Sequence, residues 1–210
     1  MLTRALVRAG ADVLAVERDA RLAARLRRAC PGTRVLEADA TTMVWPSEPF
    51  RVVANLPFAH ATEICRSLLT DPRLPLTALD AIVEWDFAVK RVRVWPSSAL
   101  TVIWSAWYEL SILRRVAPAA FVPPPRVAAA VLRATRRTEP LVPASQSRQF
   151  AAFVARAFRA GRLPRVAPAL GIDRTLLPRD VDARSWAALW QETSAAGRTV
   201  SKVTRRGRGR

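Results

Sequence analysis

The chain has 210 residues, 50% of them hydrophobic, and 34 Lys and Arg against 17 Asp and Glu give a net charge of +17. That length can bury one sizeable core with room for a small appended module, and that charge points to a partner built of phosphates. Two cysteines without metal-ligand spacing and a single histidine exclude a disulfide framework, a zinc cluster and histidine-based catalysis, and no apolar leader or membrane-length apolar run is legible. A cytoplasmic monomer with no metal and no membrane partner is the expectation. Only Lys90 and Lys202 are lysines, but the arginine fork binds phosphate as well, so the inference from charge survives the bias.

Residues 2–9 read as a helix ended by Gly10, and residues 12–17 as a buried strand closing on Glu17. Asp19 then caps a helix whose Leu22, Ala23 and Leu26 recur at helical spacing, with arginines outward and Gly32 beyond its end. Residues 34–39 echo the first strand and end on Asp39. A short apolar run, Val52-Val53-Ala54, closes on Asn55-Leu56-Pro57-Phe58, and residues 61–69 form a helix with Ile64, Leu68 and Leu69 inward. Residues 79–84 are the next strand. Residues 85–94 carry Lys90, Arg91 and Arg93 between Trp85 and Trp95, a mixture able to track an RNA backbone, although a solvated helix face is an even reading. A helical run over 99–107 leads to a strand over 108–116. The extended segment Phe121-Val122-Pro123-Pro124-Pro125-Arg126-Val127 holds Phe121 rigidly, and a last strand over 127–134 returns antiparallel. Strands alternating with helices in this way make an α/β sheet with helices on both faces.

Residues 139–198 read as a small helical RNA-facing domain, with Phe150, Phe153, Val154 and Phe158 on one helix and Trp186, Leu189 and Trp190 on another. Residues 199–210 read as a disordered basic tail whose Arg205, Arg206, Arg208 and Arg210 add phosphate contacts; a merely solvated tail is the plainer alternative.

The chemistry gathers at strand ends. The Asn55 amide oxygen and the Leu56 carbonyl, held by Pro57, can accept from one exocyclic amine while Phe58 offers a stacking face, a set suited to a flipped adenine. Alone, such a stretch is more often a strand end followed by a turn. Glu17 is placed as a doubly wound fold places its ribose-binding acid, and Asp39 would accept from an adenine amine, although either acid alone is commonly a solvated loop carboxylate. The glycine-rich loop that precedes such an acid by about 20 residues is absent: counting back from Glu17 lands before Met1, and Gly207-Arg208-Gly209 follows no strand.

Together Val16-Glu17, Ala38-Asp39, Asn55-Leu56-Pro57-Phe58, Val83-Glu84-Trp85 with Lys90-Arg91, and Phe121-x-Pro-x-Pro-x-Val127 resemble the ribosomal RNA adenine N6-methyltransferases, most of all the erythromycin-resistance (Erm) 23S ribosomal RNA enzymes. The resemblance covers about residues 2–195. It implies a Rossmann-like methyltransferase sheet over 1–138 and S-adenosylmethionine held by Glu17, Asp39, Ala40 and Asn55. It further implies that Asn55, Leu56, Pro57 and Phe58 grip the target base, with Phe121 a second stacking surface. The implied function is N6-methylation of a 23S adenine, giving resistance to macrolides, lincosamides and streptogramin B. Members of that family carry a first strand and glycine loop ahead of the segment matched by Leu2-Thr3, so the sheet is expected to lack its central strand here. A small-subunit ribosomal RNA dimethyltransferase and a catalytically silent RNA-binding protein are the alternatives.

Overall fold

In a computed structural model the described residues are 2–95 and 97–206, with side chains described through 195. The first four elements form one unit: α1 (Leu2–Arg8), β1 (Leu14–Glu17), α2 (Ala20–Ala29) and β2 (Arg34–Glu37). The strands β1 and β2 pair in parallel, Leu14 opposite Arg34 and Glu17 opposite Glu37. Asp19 caps α2 as its position predicts, its carboxylate accepting from the Arg21 and Leu22 N–H groups at 2.8 and 2.9 Å. Leu22, expected inward, is half exposed, and only Ala23 of its stripe is fully covered. The reason is the narrowness of the sheet: two strands of four residues cannot cover a helical face of that width.

The remaining strands make a separate mixed sheet in the order β3-β4-β6-β5, from β3 (Phe50–Asn55), β4 (Leu76–Glu84), β5 (Tyr108–Val116) and β6 (Ala129–Arg136). β3 and β4 are parallel, and β6 runs antiparallel between β4 and β5, as the proline-rich connection requires. The strands therefore divide in two between β2 and β3, and β1 and β3 each have one strand neighbour among the described residues.

Helices α3 (Ala61–Leu69), α4 (Trp85–Val92) and α5 (Ala99–Ser105) cover this sheet, and α6 (Ser147–Ala160) and α7 (Ala183–Arg206) follow. The helical segment shares the core of the sheet. Phe150 meets Trp107 edge-on at 5.8 Å and Trp190 at 6.3 Å, and the Trp107 indole N–H donates to the Val142 carbonyl at 2.8 Å. Helix α7 continues to Arg206, so residues 199–206 are helical where the composition predicts disorder: they extend a helix already nucleated by the packed turns around Trp186 and Leu189. Residues 207–210, including Arg208 and Arg210, lie outside the described residues. No described helix is long and apolar enough to cross a membrane, and the described residues contain no metal-binding cluster.

One ionic cluster ties three strands together. Asp80 of β4 accepts from Arg51 of β3 and from Arg133 of β6 at 2.6 Å. Burial pushes the Asp80 carboxyl up, but the charged hydrogen bonds from Arg133 and Arg51 prevail and hold it below the usual range. A depressed folded-state value stabilises fully above the unfolded value of about 3.9 and ceases to do so as pH falls through the folded one. Asp80→Asn should therefore cost about 1–3 kcal/mol at neutral pH and shrink the stability lost on acidification. Urea midpoints at neutral pH and at about pH 3 check this: the two proteins should converge in acid.

Candidate nucleic-acid methylation site

β3 ends on Asn55, paired with Ile82 of β4, and the Leu56 N–H gives the last ladder bond to the Ile82 carbonyl at 3.1 Å. Pro57, which has no N–H to continue the ladder, turns the chain out into the short 3-10 helix Phe58–His60, closed by the His60 N–H on the Pro57 carbonyl at 2.9 Å. The Leu56 side chain is buried in the main core and pins the turn, while Asn55 is exposed. Among the described residues neither the Asn55 amide nor the Leu56 carbonyl has a hydrogen-bond partner. Two acceptors thus stand open at the carboxyl end of a parallel strand with the half-buried Phe58 two residues on.

Phe121 belongs to the same edge of the sheet. Glu84 at the end of β4 pairs with Ala129, which pairs with Val116 at the end of β5, so the connection between Val116 and Ala129 leaves and re-enters beside the carboxyl ends of β3 and β4. Phe121 is half-buried and extended, its N–H bonded to the Pro118 carbonyl at 3.1 Å.

The two predicted cofactor acids lie at the carboxyl ends of the other sheet. The Ala38 N–H donates to the Glu17 carbonyl at 3.1 Å, and Glu17 Oε1 accepts from the Asp19 N–H at 2.9 Å, which leaves Oε2 free. Asp39 is more committed. Its Oδ1 accepts from the Thr41 N–H and hydroxyl at 2.8 and 2.7 Å, and its Oδ2 lies 3.5 Å from Arg18. The Thr41 N–H, then its hydroxyl, hold the carboxyl below the usual carboxylate range against the opposing effect of burial, with Arg18 assisting. Thr41 and Arg18 were not singled out in the sequence, although Asp39-Ala40-Thr41 is a spacing at which an Asx turn can be read. Ala40 packs against the main core. These acids could meet the ribose and amine groups of a nucleoside, with Oε2 of Glu17 the acceptor less encumbered by its neighbours.

Of the predicted RNA-facing cations, Lys90 and Arg93 are exposed, and Arg91 is not. Arg91 is 7% exposed, donates to the Ser98 hydroxyl at 2.7 Å and lies over the Phe87 and Trp104 rings at 5.0 and 5.3 Å. It cannot contact RNA. The cause is helical geometry, since Arg91 is three residues past the inward Ala88 and shares its face, whereas Lys90 and Arg93 share another. Trp85 is likewise engaged, with the Arg115 guanidinium 4.9 Å over its ring. Cys65 is buried, its thiol pushed up to about 12 mainly by that burial, and it is inert as a nucleophile. A cavity of about 650 Å³ between α3 and α6, lined among others by Arg66, Asp71 and Arg148, contains none of the predicted site residues.

Residues 1–164 match the family described as ribosomal RNA adenine dimethylase. The chain is 32% identical over 161 residues to an rRNA adenine N-6-methyltransferase of Corynebacterium diphtheriae, covering 76% of this chain and 63% of that one. It is 30% identical to the mycinamicin-resistance protein MyrB of Micromonospora griseorubida, over 95% of this chain and 71% of MyrB. With the ribosomal RNA small subunit methyltransferase A of Bordetella pertussis it shares 36% identity over 93% of its own length and 71% of the relative's. The chain spans only 49% of an rRNA adenine N-6-methyltransferase of Bacillus licheniformis. Among solved structures, the 23S rRNA methyltransferase ErmE superposes with a TM-score of 0.70 at 24% identity, over 86% of this chain and 81% of ErmE, a likeness of fold.

Proposed function

The chain belongs to the ribosomal RNA adenine dimethylase family, and from that premise we propose that it serves S-adenosylmethionine-dependent N6-methylation of an adenine in 23S ribosomal RNA, with resistance to macrolides, lincosamides and streptogramin B as the outcome. The observation that carries the reading is the pair of open acceptors, Asn55 amide and Leu56 carbonyl, on the turn fixed by Pro57 and followed by Phe58.

Adenine N6 is a poor nucleophile because its lone pair is delocalised into the ring. Two acceptors on its hydrogens favour a pyramidal nitrogen whose lone pair is available to a methyl group, so positioning and fixed dipoles supply most of the catalysis. S-adenosylmethionine, when bound, supplies the methyl. Glu17 through Oε2 would hold ribose hydroxyls, and Asp39 and Ala40 would face the adenine of that cofactor. Phe58 and Phe121 stack the flipped base, offsetting part of the unstacking cost. Lys90 and Arg93, with Arg205, Arg206, Arg208 and Arg210 beyond them, neutralise phosphates.

A second reading, a small-subunit ribosomal RNA dimethyltransferase, is supported by the 36% identity to the Bordetella protein. The intact protein expressed in a macrolide-sensitive bacterium should raise erythromycin tolerance and stop primer extension on 23S RNA. Unmodified 23S RNA together with rescue of a strain lacking its small-subunit dimethyltransferase would overturn the 23S reading in favour of the second. Modification of neither RNA would leave an RNA-binding protein without catalysis.

A further inference from the structure

Helix α4 begins at the carboxyl edge of the sheet, where β4 ends beside Asn55, and Arg93 caps its far end about 12 Å along. There a hollow of about 400 Å³ is lined by Asp86, Val89, Lys90, Arg93, Ser97 and Arg179. Three cations and one acid line it. Lys90 and Arg93 make no ion pair among the described residues, and Arg179 reaches only its neighbour Asp180, at 4.0 Å. Arg179 comes from the helical segment, 86 residues after Arg93. It is positioned by backbone: the Ser97 N–H donates to the Arg179 carbonyl at 2.7 Å, and the Ser97 hydroxyl to the Val181 carbonyl at 3.4 Å. Pro178 and Val181 on either side are buried, so a fixed main chain presents an exposed guanidinium. The same loop that supplies Ser97 carries Trp95, 61% exposed and without a ring partner among the described residues.

We infer that Lys90, Arg93 and Arg179 form a phosphate-backbone clamp for RNA spanning the sheet and the helical segment, with Trp95 as a stacking surface for an unpaired base next to the clamped phosphates. The inference rests on the proposal that the substrate is RNA. A cluster of cations on a concave wall, two of them without an ion pair among the described residues, is suited to phosphodiester oxygens, and a bare indole two residues beyond Arg93 favours a looped or single strand over a duplex, in which base faces are already stacked. Because Arg179 is held by the Ser97 contacts, the clamp also fixes the distance between the methylation edge and the point where the strand is gripped.

The test measures binding of the intact protein to a hairpin RNA with an unpaired loop, and to a duplex of the same length, across a salt series. Methyl incorporation into total ribosomal RNA is followed in parallel. Arg179→Ala, Lys90→Ala and Arg93→Ala should each weaken hairpin binding about three- to tenfold and reduce the slope of log affinity against log salt by about one, whereas Arg28→Ala on α2 should not. Trp95→Ala should weaken the hairpin more than the duplex, with Trp95→Phe restoring most of the loss. Circular dichroism melting checks that each variant is folded, and these exposed side chains should leave it unchanged. A normal salt slope in folded Arg179→Ala overturns the clamp even if the wild type methylates RNA, and full displacement of the hairpin by inorganic phosphate at equal phosphate concentration would make this a free-anion site instead. Absence of both binding and methylation in the wild type overturns the RNA reading itself.

Discussion

Replacing Asn55 by alanine in the intact protein is expected to slow methyl transfer by ~10²-fold or more, with RNA affinity nearly unchanged. The size follows from what a single preorganised polar contact contributes when it acts on the reacting atom. Asn55 makes such a contact in the role proposed for it, and it is exposed at the end of β3 with its amide unpartnered, so alanine removes an acceptor without breaking an internal bond. The neighbouring acceptor, the Leu56 carbonyl, stays in place because the Leu56 side chain is buried and its N–H remains bonded to Ile82. Single-turnover methylation at saturating RNA isolates the chemical step, and filter binding gives the affinity. A parallel fall in both would mean that Asn55 shapes the turn, and the assignment to the amine would fail.

The second large effect is on stability. Phe150→Ala should destabilise the protein by about 3–5 kcal/mol and lower its melting temperature by on the order of 10 °C. Phe150 is fully buried between Trp107, which lies at the foot of β5, and Trp190 of α7, so its loss opens a cavity where sheet and helices meet. The shape of the transition is as informative as its midpoint. With one core running from Leu56 to Leu189, α6 and α7 should melt together with the sheet. Loss of helical signal ahead of the sheet would instead establish residues 139–198 as an independent domain.

The strands were legible where local signals agree. Residues 108–116 read as a strand and 61–69 as a helix because periodicity, flanking breakers and length all pointed one way, and β5 and α3 have those bounds. Asn55-Leu56-Pro57-Phe58 was legible as a strand-end turn because proline removes the ladder donor at that point. Arg91 was misread because a run of cations resembles a solvated face, whereas a guanidinium can be buried when aromatic rings and a hydroxyl receive it, as Phe87, Trp104 and Ser98 do. Arg179 could not have been found by pattern, since only the folded chain brings it to Ser97. Leu22 was placed inward by its spacing, but periodicity marks the face a helix offers and says nothing of how wide a sheet receives it.

The division of the strands into two sheets has a consequence for how the protein breathes. Ala15, Ala23 and Cys30 are buried within the first unit, yet no described hydrophobic residue before Ala40 belongs to the main core or packs on it. The amides of β1 and β2 should therefore exchange with deuterium through a low-energy local opening, whereas those of β4 and β6 exchange only when the whole molecule unfolds. Glu17 and Asp39 ride on the unit that opens and Asn55 on the one that does not. A ligand contacting both would slow exchange in β1 and β2 in proportion to its affinity, so deuterium uptake of these two short strands becomes a gauge of ligand binding that needs no catalytic turnover.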